Sequence, residues 1–125
     1  MSLYQNLTPP LLKHISQIPV LPILKSRKMR QTNEIIKQIR GMQRELHEKY
    51  HVSRIGIFGS FSQGHQTEKS DLDLVVEFER PIGIMAFVHL KDQITEKIGI
   101  EVDLVTPDGL HPLIRNSVMR EVIYV

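Results

Sequence analysis

Cysteine is absent from the 125 residues, which excludes a disulfide framework and any thiolate metal site and agrees with a reducing compartment. No apolar run reaches the roughly 18 residues of a membrane span, and the first residues lack the pattern of a secretory signal. A cytoplasmic protein is the expectation. Internal repeats and low-complexity segments are missing too. So is a large charge excess: 16 Lys and Arg stand against 14 Asp and Glu, a net of +2. The charge is uneven, because Lys25, Arg27, Lys28 and Arg30 cluster ahead of the main body of the sequence. Such a short basic run is read as a solvated stretch, with nucleic-acid contact the lesser reading. The length is that of one domain with one modest core.

Residues 1–24 carry Pro9, Pro10, Pro19 and Pro22 among scattered Leu and Ile, so a long helix is not expected there, although Leu11 to Ile18 can form two turns. This stretch reads as an extension, 1–30, ahead of a domain spanning 31–125. From Gln31, Ile35, Ile39, Met42 and Leu46 recur at helical spacing, predicting a helix to about Lys49 with Thr32 or Asn33 as its cap. Val52 to Phe58 follows as a buried strand rich in β-branched and aromatic residues. After Arg80-Pro81-Ile82-Gly83, a turn, a helix from Ile84 to about Ile98 is predicted, with Phe87, Val88, Lys91, Ile94 and Ile98 on its apolar stripe and Gly99 as its terminator. Ile100 to Val105 reads as a third strand, Thr106-Pro107-Asp108-Gly109 breaks it, and Leu110 to Val122 as a last helix turns Leu113, Ile114, Val118 and Val122 inward. Ile123-Tyr124-Val125 is a short strand or an apolar tail. The predicted architecture is α/β (α+β), a small mixed sheet with both main helices on one face.

The chemistry gathers between the first two strands. Gly59-Ser60 ends one strand, a polar loop containing Gly64 runs to Ser70, and Leu72, Leu74 and Val76 form the apolar phase of the next. Side chains alternate along a strand, so Asp71 and Asp73 share the opposite face with Cα atoms roughly 6.5–7 Å apart. Two carboxylates held that close repel, and a divalent cation relieves the repulsion. A glycine lets backbone N–H groups approach a phosphate, and a serine hydroxyl adds a further hydrogen bond. In the third strand Glu101 and Asp103 form another acidic pair.

Gly-Ser, about ten loop residues and Asp-x-Asp within an apolar strand resemble the DNA polymerase β-like nucleotidyltransferases, most of all their minimal single-domain branch. The resemblance covers roughly Gln31 to Val125. It implies that Gly59, Ser60 and Ser70 hold the phosphates of a nucleoside triphosphate, expected to be ATP. It further implies that Asp71, Asp73 and Asp103 bind two Mg²⁺ ions and that Asp103 helps deprotonate the attacking hydroxyl, with Glu101 the candidate if the register differs by two. The implied reaction moves a nucleoside monophosphate to a hydroxyl and releases pyrophosphate. The minimal branch also resembles the antitoxin half of pairs whose other half is a helical HEPN toxin, so such a partner protein is implied as the acceptor. The sequence departs from the branch at Gln63, where an arginine is common.

Other readings compete. A binding module could keep this fold and neutralise a partner by complex formation alone, and an accessory protein could bind nucleic acid through Lys25 to Arg30. Asp71-Leu72-Asp73-Leu74-Val75 also fits the nucleophile motif of haloacid-dehalogenase-type phosphatases, but there the apolar strand precedes the first aspartate, whereas here Thr67-Glu68-Lys69-Ser70 does. His47-Glu48-Lys49-Tyr50-His51 matches a zinc pattern that needs both histidines on one helix face; the helix is expected to end first. His14, His65, His89 and His111 show no ligand spacing, though His65 lies in the phosphate loop. Arg115 and Arg120 are expected to be solvated unless one approaches a phosphate. The apolar residues of 1–24 and the tail Ile123 to Val125 are expected to include at least one segment that lies on a partner or a second copy.

Overall fold

The computed structural model describes residues 20–125, with side chains described from Arg27 onward; the expectations for residues 1–19, the two turns at Leu11 to Ile18 among them, lie outside the described residues. The first element is helix α1, Val20–Tyr50. It is longer than predicted, because Pro22 falls at the third helical position, where an N–H has no intrahelical acceptor to lose. Thr32 is therefore not a cap. It lies inside the helix, fully buried, and its hydroxyl faces the carbonyls of Phe61 at 2.8 Å and Lys28 at 3.1 Å. Ile35, Ile39, Met42 and Leu46 are the buried stripe, as their spacing required.

The helix stops at His51, whose φ of 60° is left-handed and whose N–H returns to the His47 carbonyl at 3.0 Å. That reversal separates the two histidines of the zinc-like pattern. His47 Nδ1 lies 3.1 Å from the Val52 carbonyl, while His51 Nε2 lies 2.7 Å from Arg80.

Strands β1 (Val52–Phe58), β2 (Leu72–Phe78), β3 (Val102–Val105) and β4 (Ile123–Tyr124) form one mixed sheet in the order β3-β2-β1-β4. The β1–β2 and β1–β4 pairs are antiparallel, and β2–β3 is parallel. The parallel pair needs a crossover, which helix α3 (Ile84–Ile98) supplies. Ile55, Ile57, Leu72, Leu74, Val76, Val102 and Leu104 make the sheet's contribution to a core shared with α1 and α3. Each side chain of that size contributes about 1.5–3 kcal/mol when fully buried. Helix α3 ends on Gly99, at φ 81°, as predicted. Its buried stripe is rotated from the predicted one: Leu90 and Ile94 are buried with Phe87 and Ile98 packed beside them, and Val88 is exposed.

Two further elements differ from expectation. A single turn, α2 (Ser60–Gln63), follows β1 directly and ends at Gly64, which is left-handed at φ 72°. After a 3₁₀ turn at Pro107–Gly109, the last helix, α4 (Pro112–Glu121), starts later than predicted, with His111 Nδ1 accepting the Leu113 N–H at 3.1 Å. Leu113 and Ile114, expected inward, are exposed; Val118 is buried as expected, and Leu110, ahead of the helix, is buried too. Arg115 is tied down by the carbonyls of Pro107 at 2.9 Å and Leu110 at 3.1 Å. The tail is the short strand rather than a free end: β4 is the edge of the sheet, half-buried, and the Val125 N–H donates to the Ile55 carbonyl at 3.0 Å. Among the described residues no helix is long and apolar enough to cross a membrane.

Candidate active site

The parallel register pairs Asp73 with Asp103, and the antiparallel register sets Phe58 opposite Asp73. Leu72 and Leu74 point into the core on either side of Asp73, so by alternation its carboxyl faces away from α1 and α3. Asp103 lies on that face between the buried Val102 and Leu104. Asp71, just ahead of β2, is exposed beside them. Glu101 is not part of the group, because its carboxylate lies 3.8 Å from Lys91 on α3.

Gly59 is fitted against Asp73. Its φ is +73°, a left-handed value, and a Cβ placed there would collide with Asp73 Oδ2. The glycine therefore serves both the turn and the close approach of a carboxylate. Asp73 is half-buried, and its pKa is pushed up to about 6, first by burial and then by the negative charges of Asp103, Asp71 and Glu121. Among the described residues no Lys, Arg or His side chain forms an ion pair with Asp71, Asp73 or Asp103. An acidic group with no countercharge fits a divalent cation, for which these three carboxylates are the oxygen donors at hand. They stand as neighbours on an open face, since among the described residues no three acidic or imidazole groups are gathered closely enough to hold a metal ion as they are.

The turn beyond β1 is held from several sides. The His65 N–H donates to the Ser60 carbonyl at 2.9 Å, and Ser62 Oγ donates to the Gly59 carbonyl at 2.8 Å. The Thr32 hydroxyl reaches the Phe61 carbonyl from α1. Gln66 is buried and donates to the Lys28 carbonyl at 2.9 Å. Ser60 is half-buried at the turn itself. Ser70 Oγ accepts the Thr67 N–H at 2.8 Å, which makes it a brace of the loop ahead of Asp71. The His65 side chain is exposed.

Glu121, the last residue of α4, was not legible in the sequence. Its carboxylate accepts the Gly59 N–H at 3.2 Å through Oε1 and the Gln63 amide at 2.6 Å through Oε2. These contacts span 62 and 58 residues, and nothing local marks a glutamate at a helix end as their partner. They also give Gln63 a function: where an arginine would meet Glu121 as an ion pair, the neutral amide meets it by a hydrogen bond. Among the described residues, shallow depressions of about 400–460 Å³ lie elsewhere, lined by residues other than Asp71, Asp73 and Asp103.

This arrangement has counterparts in known proteins. The model of the nucleotidyltransferase domain matches residues 36–125. A Methanocaldococcus jannaschii relative provisionally named a protein adenylyltransferase, MJ0128, is 40% identical over 98 residues, covering 78% of this chain and all of its own. The protein adenylyltransferase MntA of Thermococcus cleftensis is 39% identical over 82 residues, 66% of this chain and 83% of its own. A solved structure provisionally described as a minimal nucleotidyltransferase superposes with a TM-score of 0.62 at 34% identity, covering 72% of this chain and 92% of that one. A toxin–antitoxin structure with AMP-PNP superposes with a TM-score of 0.57 at 26% identity, covering 74% and 70%. With the Gly-Ser turn and the aspartates of two adjacent strands on one face of the sheet, the chain belongs to the nucleotidyltransferase domain family.

Proposed function

We propose that this protein is a Mg²⁺-dependent protein adenylyltransferase that moves AMP from ATP to a hydroxyl of a partner protein, a HEPN-type toxin, and so acts as an antitoxin. The unit responsible is residues 31–125, with 1–30 as an extension whose described part continues α1. The observation that carries the reading is the Asp73–Asp103 register beside Gly59. It brings carboxylates and a glycine turn onto one open face, the placement that metal and phosphate binding would need. Two Mg²⁺ ions bound by Asp71, Asp73 and Asp103 would neutralise the triphosphate and acidify the acceptor hydroxyl. Gly59 and Ser60 hold the phosphates, with Ser70 keeping the loop closed beside them. Asp103 accepts the proton of the hydroxyl whose oxygen attacks the α-phosphorus, the bond from that phosphorus to the bridging oxygen breaks, and pyrophosphate leaves. The open face suits an acceptor carried by a macromolecule. The names of the relatives and the toxin–antitoxin neighbour with AMP-PNP support the choice of nucleotide and partner.

Complex formation without transfer is the second reading, favoured by the carboxylate of Glu121 on the Gly59 N–H. One experiment separates the two. The protein is incubated with a HEPN-type toxin, Mg²⁺ and each nucleoside triphosphate, and both chains are weighed. An AMP-sized gain on the toxin, lost in Asp71→Asn/Asp73→Asn, supports transfer. Full neutralisation by a folded double variant, with no mass change on the toxin, would leave complex formation as the function.

A further inference from the structure

Glu121 places a negative charge where the proposed function needs a phosphate. Its Oε1 lies 3.2 Å from the Gly59 nitrogen and its Oε2 2.6 Å from the Gln63 amide, and its charge is felt at Asp73. A backbone N–H has one proton to donate, so a phosphate oxygen and this carboxylate cannot both hold it. Two anions at such a distance repel, and Gln63 brings no cation to offset the Glu121 charge. The carboxylate is also the end of a lever. It closes α4, one residue before Val122, whose Cγ1 lies against Gly56, and two before β4, which pairs with β1 at Gly56 and Ile57.

We propose that Glu121 is a built-in competitor for the phosphate turn: a triphosphate binds by taking the Gly59 N–H and expelling the Glu121 carboxylate, which loosens the junction of α4 and β4. Glu121 is thus a positioning residue that sets nucleotide affinity and reports occupancy of the site to the C-terminal edge of the sheet. The inference rests on the nucleotide reading of the turn given above. The hold is breakable because Glu121 is anchored by hydrogen bonds to neutral groups, with no cation among its partners.

The test compares Mg²⁺–ATP binding to the parent, Glu121→Gln and Glu121→Asp by calorimetry, with thermal melts to show that each folds. Glu121→Asp keeps the charge and shortens the reach by one methylene, so it separates competition for the N–H from simple repulsion. Both variants are expected to bind about tenfold tighter, the loss of one charge-assisted hydrogen bond. Hydrogen exchange supplies the second measurement: Mg²⁺–ATP is expected to speed exchange at Val122 to Val125 in the parent and to leave it unchanged in both variants. If the parent binds nucleotide and Glu121→Asp binds no tighter, the competitor is overturned while the nucleotide reading stands. If neither the parent nor any variant binds Mg²⁺–nucleotide, the nucleotide reading fails and takes this proposal with it.

Discussion

Gly59 and Asp73 interlock: the side chain that Gly59 lacks would occupy the place of the Asp73 carboxyl, and the glycine's φ of +73° holds the turn in that position. The residue that follows β1 and the carboxylate of β2 are therefore fitted against each other. Any side chain at Gly59 would displace the Asp73 carboxyl.

Gly59→Ala is the direct consequence. The added methyl meets both a positive-φ backbone conformation that is essentially restricted to glycine, costing about 1–3 kcal/mol, and the Asp73 carboxyl. A loss of at least about 2 kcal/mol of stability is expected in urea unfolding, together with weaker Mg²⁺–ATP binding. A variant as stable as the parent would show that the turn relaxes freely and that the interlock is unimportant.

Asp73 sets a pH dependence. Its folded pKa is raised to about 6 from the ordinary 3.8, so between those values the folded chain holds a proton that the unfolded chain has released. Linkage then makes stability fall as pH rises from about 4 to about 6. Asp73→Asn removes the term, so its melting temperature should exceed the parent's above pH 6, with the gap shrinking towards pH 4. Mg²⁺ should reverse the trend in the parent, because the cation favours the charged carboxylate. Identical melting profiles for parent and variant across this range would refute the assignment.

Asp103 is expected to behave differently from Asp73. It is exposed on the neighbouring strand, and the proposed reaction gives it the acceptor's proton. Asp103→Asn should lower single-turnover transfer by about 10²-fold or more while changing Mg²⁺–ATP affinity far less. Equal losses in rate and affinity would mean that it serves only to hold metal.

Thr32 tests the tie between α1 and the turn. Its buried hydroxyl faces the Phe61 carbonyl at 2.8 Å, and Thr32→Val keeps the shape while leaving that carbonyl without its donor. A cost of about 1–3 kcal/mol is expected, with faster hydrogen exchange at Ser62 and His65, whose N–H groups close the turn. Slow exchange at both amides despite the substitution would show that the turn stands without α1.

The sequence by itself determined the order of the main helices and strands, though not the single turn α2, together with the core stripe of α1, the Gly99 terminator, the Gly-Ser turn and the acidic face. These are readable because they depend on period, on backbone preference at single residues and on motifs within one strand–loop–strand unit. Gln63 could be seen to break the family's pattern, but not that its amide would meet Glu121. Only the tertiary structure decided that Asp103 rather than Glu101 stands beside Asp73, since parallel register is set by how α3 carries the chain back. It also rotated the buried stripes of α3 and α4, because packing selects among apolar residues that periodicity alone treats alike. Thr32 and Glu121 were beyond reach for the same reason: a hydroxyl within a helix and a carboxylate at the end of another acquire partners through contacts 29 and 62 residues distant in the chain, and no local preference records a contact that only folding creates.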